Sequence, residues 1–224
     1  MYESLLEALP GISVGPRTAL AIQFGGFELA VVCCWLIYDL PTIGLVAGTV
    51  VVAVSTVGSL AMVTIADAVR AGREPARYRR FVLGSRIELV LGLVAFIGLV
   101  TYLFVVDPRE SPVLLDTLLG PDPPAPAVFL LLLLSWDVCY RIGTAWWAGV
   151  TGLWRTLGLP ADRRGSRHRR RLDLATLSFG VLQLSLLPFV LNHPLLVVGV
   201  AGHVAAVVLV IGTARLLEAR GSQN

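Results

Sequence analysis

Trp136-Asp137-Val138-Cys139-Tyr140-Arg141-Ile142-Gly143-Thr144-Ala145-Trp146-Trp147 places an acid and a base four residues apart inside an apolar run that starts at Ala127. On a helix these two side chains share a face and lie within pairing reach. An apolar run of this kind is long enough to cross a bilayer, which takes about 20 residues. A charge at the centre of such a span costs about 2.5–3.5 kcal/mol on insertion scales, so it demands a partner or a wet cavity. Asp137 lies about 15 Å along the helix from Ala127, close to the bilayer midplane. The fold class follows: an all-α integral membrane bundle whose central helix hides a polar face.

Working outward around the same helix, Arg141, Thr144, Ala145, Ala148, Thr151, Gly152 and Arg155 fall on one arc of roughly 120° with Asp137. Trp136, Tyr140, Trp147 and Trp154 form an aromatic stripe beside it. Lipid cannot solvate the polar arc, so it must turn into the bundle.

The remainder of the chain repeats the apolar pattern. Of its 224 residues 56% are apolar and 15% charged, and the mean hydropathy is +0.78. A soluble domain uses roughly 45–50% apolar residues and spreads its charges; here they are bunched. Six spans are predicted, at about 18–38, 42–66, 81–106, 127–149, 172–191 and 195–217. A short amphipathic surface helix is expected over residues 1–16, and another within the acidic, Pro-rich segment 107–126, starting near Ser111-Pro112. No small-residue cleavage site follows the first apolar run, which argues against a signal peptide.

Arginine sets the orientation. Two basic loops, Arg70–Arg80 and Arg163–Arg171, together with Arg17, Arg215 and Arg220, fall on one side of a six-span bundle, while Asp39, Asp107, Glu110, Asp116 and Asp122 fall on the other. Positive residues stay inside, so both termini are expected in the cytoplasm and the protein in the cell membrane. The basic loops also suit anionic lipid headgroups; nucleic acid is not an expected partner. Gly44 and Gly48, continued by Ser55 and Ser59, form a small-residue stripe that permits close helix approach and a homo-oligomer.

All eighteen basic residues counted as Lys or Arg are Arg. Without a Lys amine there is no retinal or pyridoxal Schiff base and no Walker-A loop. Cys33, Cys34 and Cys139 lie in apolar spans and read as small hydrophobes, and neither a metal motif nor G-x-S-x-G is present. No cofactor is implied.

The candidate intramembrane polar site therefore comprises Asp137 and Arg141, with Glu28 in span one, Glu88 at the start of span three and His203 in span six. Glu28 has no counter-charge on its own span, and a pairing with Arg141 is expected for it. Gln183 is a further polar residue in span five. A small transporter or channel-like protein, in which Asp137 takes up a proton or cation, is the first functional expectation. A non-catalytic membrane scaffold or complex subunit is the alternative, and an intramembrane enzyme ranks last.

Two resemblances bear on this. Six spans with cytoplasmic termini and a histidine in span six look superficially like rhomboid intramembrane serine proteases, which would make Ser135 and His203 a dyad. The chain departs from that pattern: Ser135 lacks the G-x-S-x surround, and span two has no oxyanion-hole His or Asn. The Arg-only basic set, the acidic loop and the run from Trp136 to Gly143 resemble uncharacterised multispan membrane proteins of halophilic archaea. That resemblance implies a source and no activity.

Overall fold

A computed structural model describes residues 15–71, 86–158 and 166–221. The expected surface helix at the N-terminus, the first basic loop beyond residue 71 and the first residues of span three lie outside them. Every regular element among the described residues is helical.

Helix α1, Pro16–Tyr38, opens with proline in its first turn, where the missing N–H costs nothing. It ends at Asp39, which adopts a left-handed φ of 50° and returns its N–H to the Trp35 carbonyl. Asp tolerates that conformation better than most residues. Pro41 then leads directly into α2, Thr42–Ala71. Helix α3, Ile87–Thr101, runs on through a widened π-helical stretch, Tyr102–Val106, and a tight 3-10 turn, Asp107–Arg109. The short helix expected to start near Ser111-Pro112 begins instead at Leu114: α4, Leu114–Leu119, follows Val113 as its N-cap and stops at Gly120, whose φ of 88° suits glycine. Helix α5, Ala125–Gly158, carries the Asp137/Arg141 stretch.

Helix α6, Ser166–Leu182, already includes Arg167 to Arg171, so the second basic segment is largely helical rather than a loop. It tightens into a 3-10 stretch, Gln183–Leu186, before the single turn α7, Leu187–Val190. Pro188 explains the change of pitch: its ring clashes with the carbonyl four residues earlier and it has no N–H to give. Helix α8, Pro194–Gly221, completes the chain.

Six of these helical stretches are long and apolar enough to cross a membrane: Thr18–Tyr38, Thr42–Asp67, Ile87–Arg109, Ala125–Trp154, Asp173–Val190 and Pro194–Leu217. Their outer faces leave Leu29, Ile37, Val94, Phe129, Val198 and Leu209 exposed. A water-soluble protein rarely exposes apolar surface on this scale. The chain is a multi-pass membrane protein, not a greasy soluble bundle.

Helix α5 is the hub, touching α1, α2, α3, α6 and α8. Lipid tails are as apolar as Leu, so helices in a bilayer associate through close fit and hydrogen bonds rather than by hiding grease from water. The close fits are visible. A Cβ on Gly48 of α2 would lie 2.8 Å from the Val31 side chain of α1. Gly44 meets the Leu118 backbone of α4 instead, so the two glycines of the stripe serve different neighbours. Val54 and Ala61 of α2, Ala145 of α5 and Phe179 of α6 close one core; Val31, Val52 and Leu134 close a second between α1, α2 and α5.

Candidate functional site

The polar arc of α5 is turned inward. Asp137, Arg141, Ala145, Ala148, Thr151 and Gly152 are all buried. The aromatic stripe is divided: Trp147 is buried and Trp154 exposed, while Trp136 meets Phe96 of α3 edge-on and stacks on Tyr140. Those rings serve as packing surface against α3.

Asp137 and Arg141 pair through two parallel bonds. Arg141 donates from Nη2 to Asp137 Oδ1 at 2.7 Å and from Nε to Oδ2 at 2.9 Å. This fork-on-fork geometry is the strongest that a guanidinium and a carboxylate can make. The side chains are 1% and 5% exposed, respectively, so water does not screen the attraction. A third member comes from α2, where the Ser55 hydroxyl donates to Asp137 Oδ2. Arg141 Nη1 also reaches the Met62 sulfur at 3.7 Å.

The helix facing the pair is cut to fit it. A Cβ on Gly58 of α2 would stand 2.5 Å from Arg141 Cδ and 2.7 Å from the Phe179 ring of α6. Ser55, Gly58 and Met62 follow at helical spacing, so one face of α2 supplies a donor, a gap and a soft sulfur to the same guanidinium. Three spans thus converge on one ion pair near the midplane. Both Asp137 oxygens are engaged, by Arg141 and by Ser55.

The other candidate residues are not brought to this point. Glu28 accepts a hydrogen bond from Thr49 of α2 at 2.7 Å, and that contact stands in place of the expected pairing with Arg141. Further along the same two helices Ser59 donates to Gln23 at 2.7 Å, so α1 and α2 share a separate polar seam. Glu88 is half-buried on α3, with its backbone carbonyl pressed against Gly143. His203 lies beside Trp146, ring centres 6.1 Å apart. Its Nε2 has no hydrogen-bond partner among the described residues, so the Ser135–His203 dyad is not formed through that atom. Gln183 is buried in the 3-10 stretch ahead of Pro188. Cys33, Cys34 and Cys139 are free thiols.

Sequence reasoning missed Ser55 and Gly58 as parts of the site. Ser55 was legible only as one member of a small-residue stripe, because its partner lies 82 residues away. It also missed a second cluster, built from Tyr102, Asp107, Glu110 and His193 where α3 ends and α8 begins.

No curated protein and no solved structure matches the chain. A family of unknown function (DUF7530) matches residues 1–214, nearly the whole sequence. The chain belongs to that family, whose description carries no activity.

Proposed function

We propose that the chain is a non-catalytic component of the cell membrane, a scaffold or complex subunit, in which the Asp137–Arg141 pair serves as an internal clasp. The observation that carries this reading is the closed hydrogen bonding of Asp137: both oxygens are occupied by Arg141 and Ser55 within a buried site. Neither Asp137 oxygen is left without a protein donor, which opposes its use as a carrier group. A clasp joining three spans does not need water.

The arginine distribution orients this component with both termini in the cytoplasm, its basic segments against anionic headgroups. Its source is inferred to be a halophilic archaeon. Partner contact is assigned to α1, of whose span only 6% is buried; a second copy or another membrane protein would cover it.

A small transporter is the second reading. It is favoured by the α1–α2 seam, where Gln23 Nε2 and Glu28 Oε2 are buried without a hydrogen-bond partner among the described residues, a condition that water or a solute would relieve. Single cysteines at Thr144 and Ala148 decide between the two. Protection from membrane-impermeant thiol reagents supports the clasp, whereas rapid labelling at both overturns it in favour of a wet path.

A further inference from the structure

The cluster at the end of α3 is assembled from parts that the sequence keeps 91 residues apart. The π-helical stretch widens α3 at Tyr102, and the 3-10 turn after it brings Asp107 and Glu110 toward the same point. Asp107 is completely buried. Its two oxygens accept the backbone N–H groups of Leu114 at 2.8 Å and Leu115 at 3.0 Å, so the first turn of α4 fixes its direction. His193 is pinned by its own backbone, its N–H donating to Val190 and its carbonyl accepting from Leu196 and Val197.

His193 Nδ1 stands 3.4 Å from Asp107 Oδ1 and 3.4 Å from Glu110 Oε2. The three ligand atoms all lie within 4.8 Å of one another. The Tyr102 hydroxyl donates to Glu110 Oε2 at 2.6 Å and lies 2.9 Å from His193 Nδ1.

Two features of this arrangement ask for a cation. The first is charge. Two acidic side chains face one imidazole nitrogen, and that nitrogen offers them at most one donor. The second is spacing. Donors on a tetrahedral metal with bonds of about 2.0–2.2 Å are separated by about 3.4 Å, the distance kept here by both carboxylates from the nitrogen. One imidazole and two carboxylates suit a divalent transition ion better than calcium, which takes oxygen alone.

We propose that Asp107, Glu110 and His193 form a binding site for a divalent transition-metal ion of the zinc type. The ion takes the Nδ1 lone pair in place of a proton, and one oxygen from each carboxylate. The Leu114 and Leu115 amides hold the Asp107 carboxylate, and the Tyr102 hydroxyl holds Glu110. Three protein ligands leave a fourth position for water. The ion ties α3, α4 and α8 together at one end of the bundle.

The full-length protein, purified in detergent and stripped by a chelator, is titrated with Zn²⁺ by calorimetry and with Co²⁺ by visible absorption. Saturable uptake of one ion per chain at low micromolar Zn²⁺ is expected, with the intense d–d bands of four-coordinate Co²⁺. Glu110→Gln and His193→Asn should each weaken binding at least about 100-fold, more than loss of an outer-shell partner such as Tyr102→Phe, at about 10–100-fold at most. Should His193→Asn fail to fold, by circular dichroism and gel filtration, Glu110→Gln on its own decides, since Glu110 is one-third exposed. Absence of saturable binding to the parent protein, or binding unchanged in Glu110→Gln, overturns the proposal and leaves a hydrogen-bonded corner.

Discussion

Gly143 of α5 rests directly on Gly92 of α3: a Cβ on Gly143 would lie 2.5 Å from the Gly92 nitrogen and 2.5 Å from the Glu88 carbonyl. Both neighbours are backbone, which cannot swing aside as a side chain can. Gly143→Ala is therefore expected to push the two helices apart and cost about 1–3 kcal/mol, the range for overpacking a tight site. Gly98→Ala and Gly202→Ala are the controls, because a Cβ at either meets nothing within 4 Å. They should leave stability unchanged or raise it by up to about 1 kcal/mol, through the better helix propensity of Ala. Thermal unfolding in detergent, followed by loss of helicity, ranks the three.

Asp137 and Arg141 satisfy one another at 2.7 and 2.9 Å inside the bundle. Removing either alone takes from the other the partner it meets through two buried hydrogen bonds, and a loss of about 3–5 kcal/mol is expected for Asp137→Leu or Arg141→Met. The double variant removes both charges and should lose much less than the sum. Equal additive losses in a double-mutant cycle would show that the two side chains act independently.

Much of the frame was legible before any coordinates. Long apolar runs announce themselves by composition, and the i, i+4 spacing of Asp137 and Arg141 is sufficient to pair them on one helix face. What was illegible is whatever depends on a second helix. Nothing near Glu28 in the chain says that Thr49 will reach it before Arg141 can. Gly143 looked like one more small residue in a span until Gly92 was set against it. Asp107 was taken as an outward acid because charge asymmetry speaks of sides and not of depth. It is wholly buried because two amides of α4 happen to aim at it. Nothing in the local sequence singles out His193 either: periodicity has no term for a loop residue whose partners sit on another helix.

The α1–α2 seam provides a separate check. Glu28 accepts from Thr49 at 2.7 Å, so Glu28→Leu and Thr49→Val should couple by about 0.6 kcal/mol, the average for hydrogen bonds between membrane helices. Glu28→Leu and Arg141→Met should be additive within about 0.5 kcal/mol, as for sites with no shared partner. Reversal of this order in measured cycles would return Glu28 to the central site.

Ser55 joins the pair on α5 to a second helix through a hydroxyl donor. Truncation to Ala deletes the donor and little volume, so the expected cost is about 0.6–1.7 kcal/mol, the average to the maximum for such bonds. The cost should depend on its acceptor. In an Asp137→Leu background the hydroxyl has no carboxylate to meet, and Ser55→Ala should become close to neutral. Ser55→Gly makes the same deletion but adds a helix-propensity penalty of about 1 kcal/mol, and that increment should survive in both backgrounds. A Ser55→Ala effect that is the same with and without Asp137 would mean that the hydroxyl stabilises α2 locally, and the clasp would then rest on the ion pair, the Met62 contact and the close fit at Gly58.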